Sequence, residues 1–566
     1  MKIPAICLFA GLLVPCATVA AAPSLSAQPL PGERLGPVSF AVSCAPGEQA
    51  SFNRGVALLH DFWYAEAGPQ FERIVKADPD CAMAHWGLAM SAFHEIWDRP
   101  DDASMQMGWS EVEKAQAMGA KTERERDYIA ALAVFYKPGY PDYMTRVTAY
   151  SAAMGRLYAN DPKDVDAGAF YALSMLASKA PNDLGLTQER KSMAVLAPLF
   201  RKHPDHPGLI HYIIHSCDNP AMAQQGLPAA ERYGMVASSG PHAVHMAGHI
   251  FARLGMWPED ITAQLGSIKA SETAEAEHES GLMDEPHSYD FLMYAYLQSG
   301  QDAKAKAVLG QSAAALDRIV AMKDMGRGYM ADEGGYYRTK FAVFYTLEMR
   351  DWKATAALEP VAGALPENAA MTWWAHAIAD GHLRRAAAGQ ADREHFEALV
   401  EEMRRGPNAY EADSTGMQIQ KNEVAAWASY AAGRNEEALR TMRAAADEQD
   451  RVGQGEVDIP AREMLGDMLL ESHQPQKALA EYRVALRLSP KRFNGLYHAG
   501  MAAEAAGNKA VASQYYAALL ASTDGGKESA RVELAHARGF VGMGGGVQAA
   551  ERQDLAPDPG QWWFRE

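Results

Sequence analysis

Residues 465–490 read LGDMLLESHQPQKALAEYRVALRLSP, and the same pattern follows one period later. Gly466 returns as Gly500, Ala478 as Ala512 and Tyr482 as Tyr516. Each step is about 34 residues, the length of one helix-turn-helix unit. The small residues let two helices approach closely, the aromatic ring fills the gap, and Pro490 ends the unit. The same grammar stands near the start as Gly55, Ala67, Phe71 and Pro79, where His60 with Trp63 is echoed by His94 with Trp97. Between these ends the chain is rich in Ala, Leu, Met, Glu, Arg and Gln, and alternating Val/Ile/Thr runs are scarce. The expectation is an all-α solenoid of helix-turn-helix repeats. Such an array has no single closed core, so 566 residues need not divide into globular domains.

Composition removes several classes of function. At 48% hydrophobic and 22% charged residues the chain is neither collagen-like nor disordered. Lys and Arg number 53 against 71 Asp and Glu, a net charge of −18, and no basic cluster offers a face for phosphate. Nucleic acid and anionic membrane surfaces are therefore poor partners. Met1-Lys2, the apolar run from Ile6 to Val14 and the small residues 17–22 have the pattern of a secretory signal peptide, residues 1–22. Pro15 before Cys16 argues against a lipoprotein anchor, and no later stretch is long and apolar enough to span a membrane. The mature protein is expected to be exported, to the periplasm or beyond. Residues 23–43 read as a Pro-rich linker. Cys44 and Cys81 flank the first helix pair, which leaves open either a disulfide or two separate thiols. Cys217 is then left over, as a small core residue.

The repeats resemble the tetratricopeptide (TPR) superfamily. The segments ALLHDFWYAEA and DPDCAMAHWGLAMS near the start, and HAVHMAGHIFARLGMW in the centre, look like exported bacterial TPR proteins without an assigned activity. The resemblance covers most of residues 45–525. It divides them into N-terminal repeats over 44–200, a His-rich centre over 201–310, divergent repeats over 311–458 and a regular pair over 459–525. A Gly-rich tail, 526–566, ends in Trp562-Trp563-Phe564 and reads as a flexible end whose rings cap the last helix. The resemblance implies that a peptide or protein segment is bound on the concave face formed by the first helix of each pair, and a small ligand is a further expected occupant of that groove.

The centre carries the chemistry. His211 and His215 are four apart, with Asp218 three further on; His242, His245 and His249 follow at spacings of three and four. Each set projects from one helix face. With Gly248 at the place of Gly466, this repeat starts near Pro241, its predecessor near Pro207 and its successor near Pro286. His211 then aligns with His245 and Asp290, and His215 with His249 and Tyr294, with His287 at the place of His242. Packed helices lie about 8–10 Å apart, so imidazoles of adjacent helices can share an ion. Imidazole with carboxylate and no thiolate suits a divalent transition metal, Zn first and Fe, Mn, Cu or Ni as alternatives. His211, His245 and Asp290 are one expected ligand set. The number of histidines allows two ions, with Asp218 as a ligand or as the partner of one. A metal-free polar groove and plain packing of a duplicated helix remain competing readings.

The chain has no HExxH, Walker loop, G-x-S-x-G elbow or C-x-x-C-H haem attachment. Three functions stay open: a binding or scaffold protein with a metal in its groove, a metal-dependent hydrolase or oxidoreductase, or a metal store or chaperone, which a rigid helical lattice disfavours. In the second, Asp290 or Asp218 is the expected base, with Tyr294 or Arg253 beside the substrate.

Overall fold

In a computed structural model, residues 32–543 are described apart from 97–98, 181–182, 278–279, 283, 322–327, 407–408 and 528. The segment read as a signal peptide, Trp97 and the aromatic end of the tail lie outside the described residues. Helices follow one another from Gln49–His60 to Val532–Met543, with no strand among the described residues. Each packs chiefly on its neighbours in sequence, the arrangement of a TPR-like α-solenoid. No helix among the described residues is long and apolar enough to cross a membrane.

The close approach that defines the repeat is present at each of the three places read from the sequence. A Cβ on Gly55 would lie 2.7 Å from Phe71, one on Gly466 2.6 Å from Tyr482, and one on Gly500 2.4 Å from Tyr516. In all three, a glycine on the first helix receives an aromatic ring from the second, sixteen positions later. A methyl group there would force the helices apart. Phe71, Tyr482 and Tyr516 are fully buried, as the packing requires.

The array coils, so helices far apart in sequence meet. The Gln49–His60 helix touches the Pro207–Cys217 helix, and the Asp284–Gln298 helix touches Phe493–Ala505. Tyr233 Oη donates to Asp61 Oδ1 (2.8 Å), Trp63 Nε1 to the Ser280 carbonyl (2.6 Å) and Trp257 Nε1 to the Lys491 carbonyl (3.1 Å). The N- and C-terminal turns thus flank the central helices.

Residues 32–43 lie along the array rather than standing off it as a linker. Phe40 is fully buried against Phe52, Trp86 and Tyr128, and Arg54 pairs with Glu33. A disulfide joins Cys44 to Cys81, whose Cα atoms are 4.7 Å apart, and so ties this strap to the start of the Ala82–Ser91 helix. Cys217 is a buried thiol against Met193.

Candidate metal centre

Three first helices carry the centre: Pro207–Cys217, Pro241–Leu254 and Asp284–Gln298. Proline occupies the first turn of the first two, where its missing N–H costs nothing, so the helix starts read from Pro207 and Pro241 hold. The three helices bring six imidazoles into two groups of three. One is His211, His215 and His242; the other is His245, His249 and His287. Within each group one nitrogen per ring lies within 4.8 Å of the others. Each group takes its i, i+4 pair from one helix and its third ring from the first turn of the next.

The grouping departs from the aligned columns. Asp290 joins neither group, because its carboxylate is held by Lys340 Nζ (2.5 Å) from the Gly328–Glu348 helix. Tyr294 is also turned away, donating to the Asp458 carbonyl and accepting from Arg492. The expected set His211, His245 and Asp290 does not converge. His242 and His287, each in the first turn of the following first helix, close the two groups.

The two groups are built alike. One phenylalanine lies against all three rings of each. Phe62 stands 4.3, 5.5 and 5.7 Å, centroid to centroid, from His211, His215 and His242. Phe291 stands 4.9, 4.8 and 5.2 Å from His245, His249 and His287. Phe62 reaches its place from a turn in the left-handed region, φ 57°, a conformation that costs energy for an aromatic residue. The groups adjoin, with His242 and His245 ring centroids 6.2 Å apart.

Ring orientations are set from behind. His211 Nδ1 donates to the His60 carbonyl (2.6 Å). Gln264 Nε2 donates to Asp260 Oδ1 (2.8 Å), which turns Gln264 Oε1 toward His245 Nδ1 (2.7 Å), so that nitrogen carries the proton. His249 Nδ1 donates to Asp218 Oδ2 (3.0 Å) and lies in ion-pair contact with Glu456 Oε1 (2.5 Å). Tyr337 Oη contacts His287 Nδ1 (3.1 Å). A hydrogen-bonded far nitrogen that leaves Nε2 facing inward is the usual support of metal-ligating histidine. Gln264 sits sixteen positions after Gly248, where the regular repeats carry Phe or Tyr. A Cβ on Gly248 would come within 1.9 Å of Gln264 Nε2. The repeat has kept its glycine and exchanged the packing ring for a group that aims His245.

This arrangement leaves a proton count that neutral rings cannot meet. His245 Nε2 and His249 Nε2 are 2.9 Å apart. Both Nδ1 atoms are committed as donors, so in neutral rings both Nε2 atoms present lone pairs to each other. Either a proton or a metal cation must lie between them. Burial favours neutral imidazole throughout the centre: it drives His211, His242 and His287 well below the usual value and takes His215 and His245 to about 3. Burial acts the same way on His249, but Asp218 and Glu456 overcome it and hold this ring up at about 10. Asp218 is itself held well below the carboxylate range, against its burial, by Arg253 and His249. Arg253 donates to Asp218 (2.9 Å), Glu456 (3.1 Å) and the Gln454 carbonyl (2.7 Å).

Beside His287 lies a cavity of about 450 Å³, walled by Tyr336, Trp374 and Glu423 and by the 453–459 segment of the C-terminal turn. Lys340 and Asp290 line it, so these two belong to the cavity rather than to the histidine groups. Glu456, Glu423 and Lys340 are absent from any local histidine pattern. Glu456 lies 207 residues from His249 and is brought there only by coiling of the array. Gln264 is the exception, since its place opposite Gly248 is legible.

No family model matches the chain, and no curated protein matches it. Similar solved structures include the human IFIT1 dimer with m7Gppp-AAAA, at TM-score 0.36 and 11% identity over 78% of this chain and 90% of that one. Naa15/Naa10 bound to HypK-THB gives 0.22 and 13% over 88% and 74%. The P58(IPK) TPR domain gives 0.20 and 11% over 88% and 99%. Likenesses this distant carry no inference about function, and the TPR-like assignment stands on the helix pairing and the glycine–aromatic contacts of this chain.

Proposed function

We propose that this protein is an exported helical-repeat binding protein that holds divalent transition-metal ions, Zn2+ first, on its two histidine groups. It receives a peptide segment or small ligand in the cavity beside His287. One observation carries the reading: His245 and His249 face each other through Nε2 at 2.9 Å, with both Nδ1 atoms already donating. Metal that displaces the proton held on His249 takes both lone pairs as ligands. Three imidazoles per ion, bound at about 2.0–2.1 Å, leave a coordination position for water or for a ligand group. Asp218, Glu456 and Arg253 then orient His249 from behind.

A second reading gives the same centre a catalytic role, and the three-ligand groups favour it. Structural zinc is usually closed by four protein ligands, whereas catalytic zinc keeps an open position. Bound metal would supply Lewis acidity or an activated water, and Lys340, Asp290 and Glu423 would position a substrate in the adjoining cavity.

Metal analysis of the purified protein and of His245→Ala tests the proposal. The expected result is stoichiometric metal in the wild type, with at least one ion lost from a still helical variant. A wild type that takes up no transition metal at micromolar concentration overturns it. A screen on esters, phosphoesters, peptides and phenols then separates binding from catalysis.

A further inference from the structure

A third cluster lies outside the two central groups. His60 ends the Gln49–His60 helix, Asp166 lies in the first turn of Val165–Ala177, and His206 caps Pro207–Cys217. His60 is fully buried, Asp166 is 3% exposed and His206 is 7% exposed. His60 Nε2 is 3.0 Å and His206 Nε2 3.2 Å from the same atom, Asp166 Oδ1. Three donor atoms on a zinc-like ion at about 2.0–2.1 Å sit about 3.4 Å apart in a tetrahedron, so small outward shifts would admit one.

We propose that His60, Asp166 and His206 form a further metal site that takes a divalent transition ion, Zn2+ or Fe2+, through two imidazoles and one carboxylate. Charge supports this. A buried carboxylate needs a cation or a metal. The Asp166 carboxylate is in ion-pair contact with these two imidazoles, while Arg124 is committed to Asp164 (2.5 Å). Support from behind also fits. Tyr212 Oη holds His60 Nδ1 at 2.9 Å, and Phe170 stacks on the ring at 4.6 Å. Helix Pro207–Cys217 passes so close that a Cβ on Gly208 would lie 2.3 Å from His60 Nδ1. The ring is therefore fixed with Nε2 toward Asp166, as a ligand position needs. Access is present as well: Asp166 and His206 line a cavity of about 520 Å³, so two protein nitrogens and one oxygen would leave coordination positions open toward it. Since the His60 carbonyl also receives His211 Nδ1, an ion here would steady one ligand of the first central group.

The test counts zinc per chain after equilibrium dialysis of the full-length wild type, Asp166→Asn and His206→Gln, with helicity and thermal melting as controls. The expected result is one ion fewer in each variant, with the ions lost in His245→Ala still present. An unchanged count in folded variants overturns the proposal and leaves a hydrogen-bonded triad. If both variants fail to fold, a zinc-edge anomalous map of the wild type decides. A peak between the three side chains supports the site, and a flat map there refutes it. A peak here with none at the central groups would uphold this site while defeating the proposed function.

Discussion

At the residue scale, the centre depends on a few positions whose neighbours leave no slack. Gly248 is one of them. Gly248→Ala drives a methyl group into Gln264 and Asp260, and overpacking of this kind costs about 1–3 kcal/mol. The expected outcome is a lower melting temperature together with weaker metal binding, because displaced Gln264 no longer aims His245. Gly500→Ala, in a regular repeat, should lower the melting temperature and leave metal binding unchanged. Protonation gives a second residue-scale expectation for the metal-free protein. His215 and His245 are held at about 3, below the ordinary 6.5, so the unfolded chain binds protons first as pH falls. Their contribution to stability is complete above pH 6.5 and is lost between 6.5 and about 3. His249, held up at about 10, runs the other way: its contribution is complete below pH 6.5 and is lost as pH rises through 10. Denaturant midpoints in chelator should therefore fall on acidification below pH 6.5, and less steeply in His245→Gln. Metal competes with the His249 proton, so loading near neutral pH should release protons to the buffer, which calorimetry in buffers of different ionisation enthalpy measures.

At the scale of elements, the sequence is legible as far as local period reaches. Pro207 and Pro241 mark helix starts because proline is favoured at the first helical position, and the i, i+4 spacings place each pair on one face. Which rings of adjacent helices come together is not written in any period. His242 and His287 therefore close the groups of the preceding helices, and Asp290, aligned with His245 in sequence, is taken by Lys340. The 453–459 segment shows the same limit. Nothing near Glu456 signals a metal centre, yet its carboxylate meets His249 at 2.5 Å. Glu456→Gln should weaken metal binding at the second group about 10- to 100-fold, the usual effect of losing a carboxylate behind a ligating histidine, and leave the first group intact. A competition titration with a chromophoric chelator resolves the two classes of site.

At the scale of the whole molecule, coiling of the array is what makes a centre out of a repeat. Side chains and carbonyls from residues 60, 62, 218, 264 and 456 surround rings carried by three consecutive hairpins. Metal bound there links the N-terminal, central and C-terminal turns. It should stabilise the chain as a unit, by about 2.7 kcal/mol when free metal is 100 times the dissociation constant. Melting followed by far-ultraviolet circular dichroism with and without chelator checks this, and a melting temperature that ignores the metal would contradict it. Diffraction data collected on both sides of the zinc absorption edge, from crystals grown with zinc, decide whether the two histidine groups hold metal. Anomalous peaks are expected among His211, His215 and His242 and among His245, His249 and His287. A map without signal at both places, in crystals whose histidine rings keep the contacts described above, would contradict metal binding there.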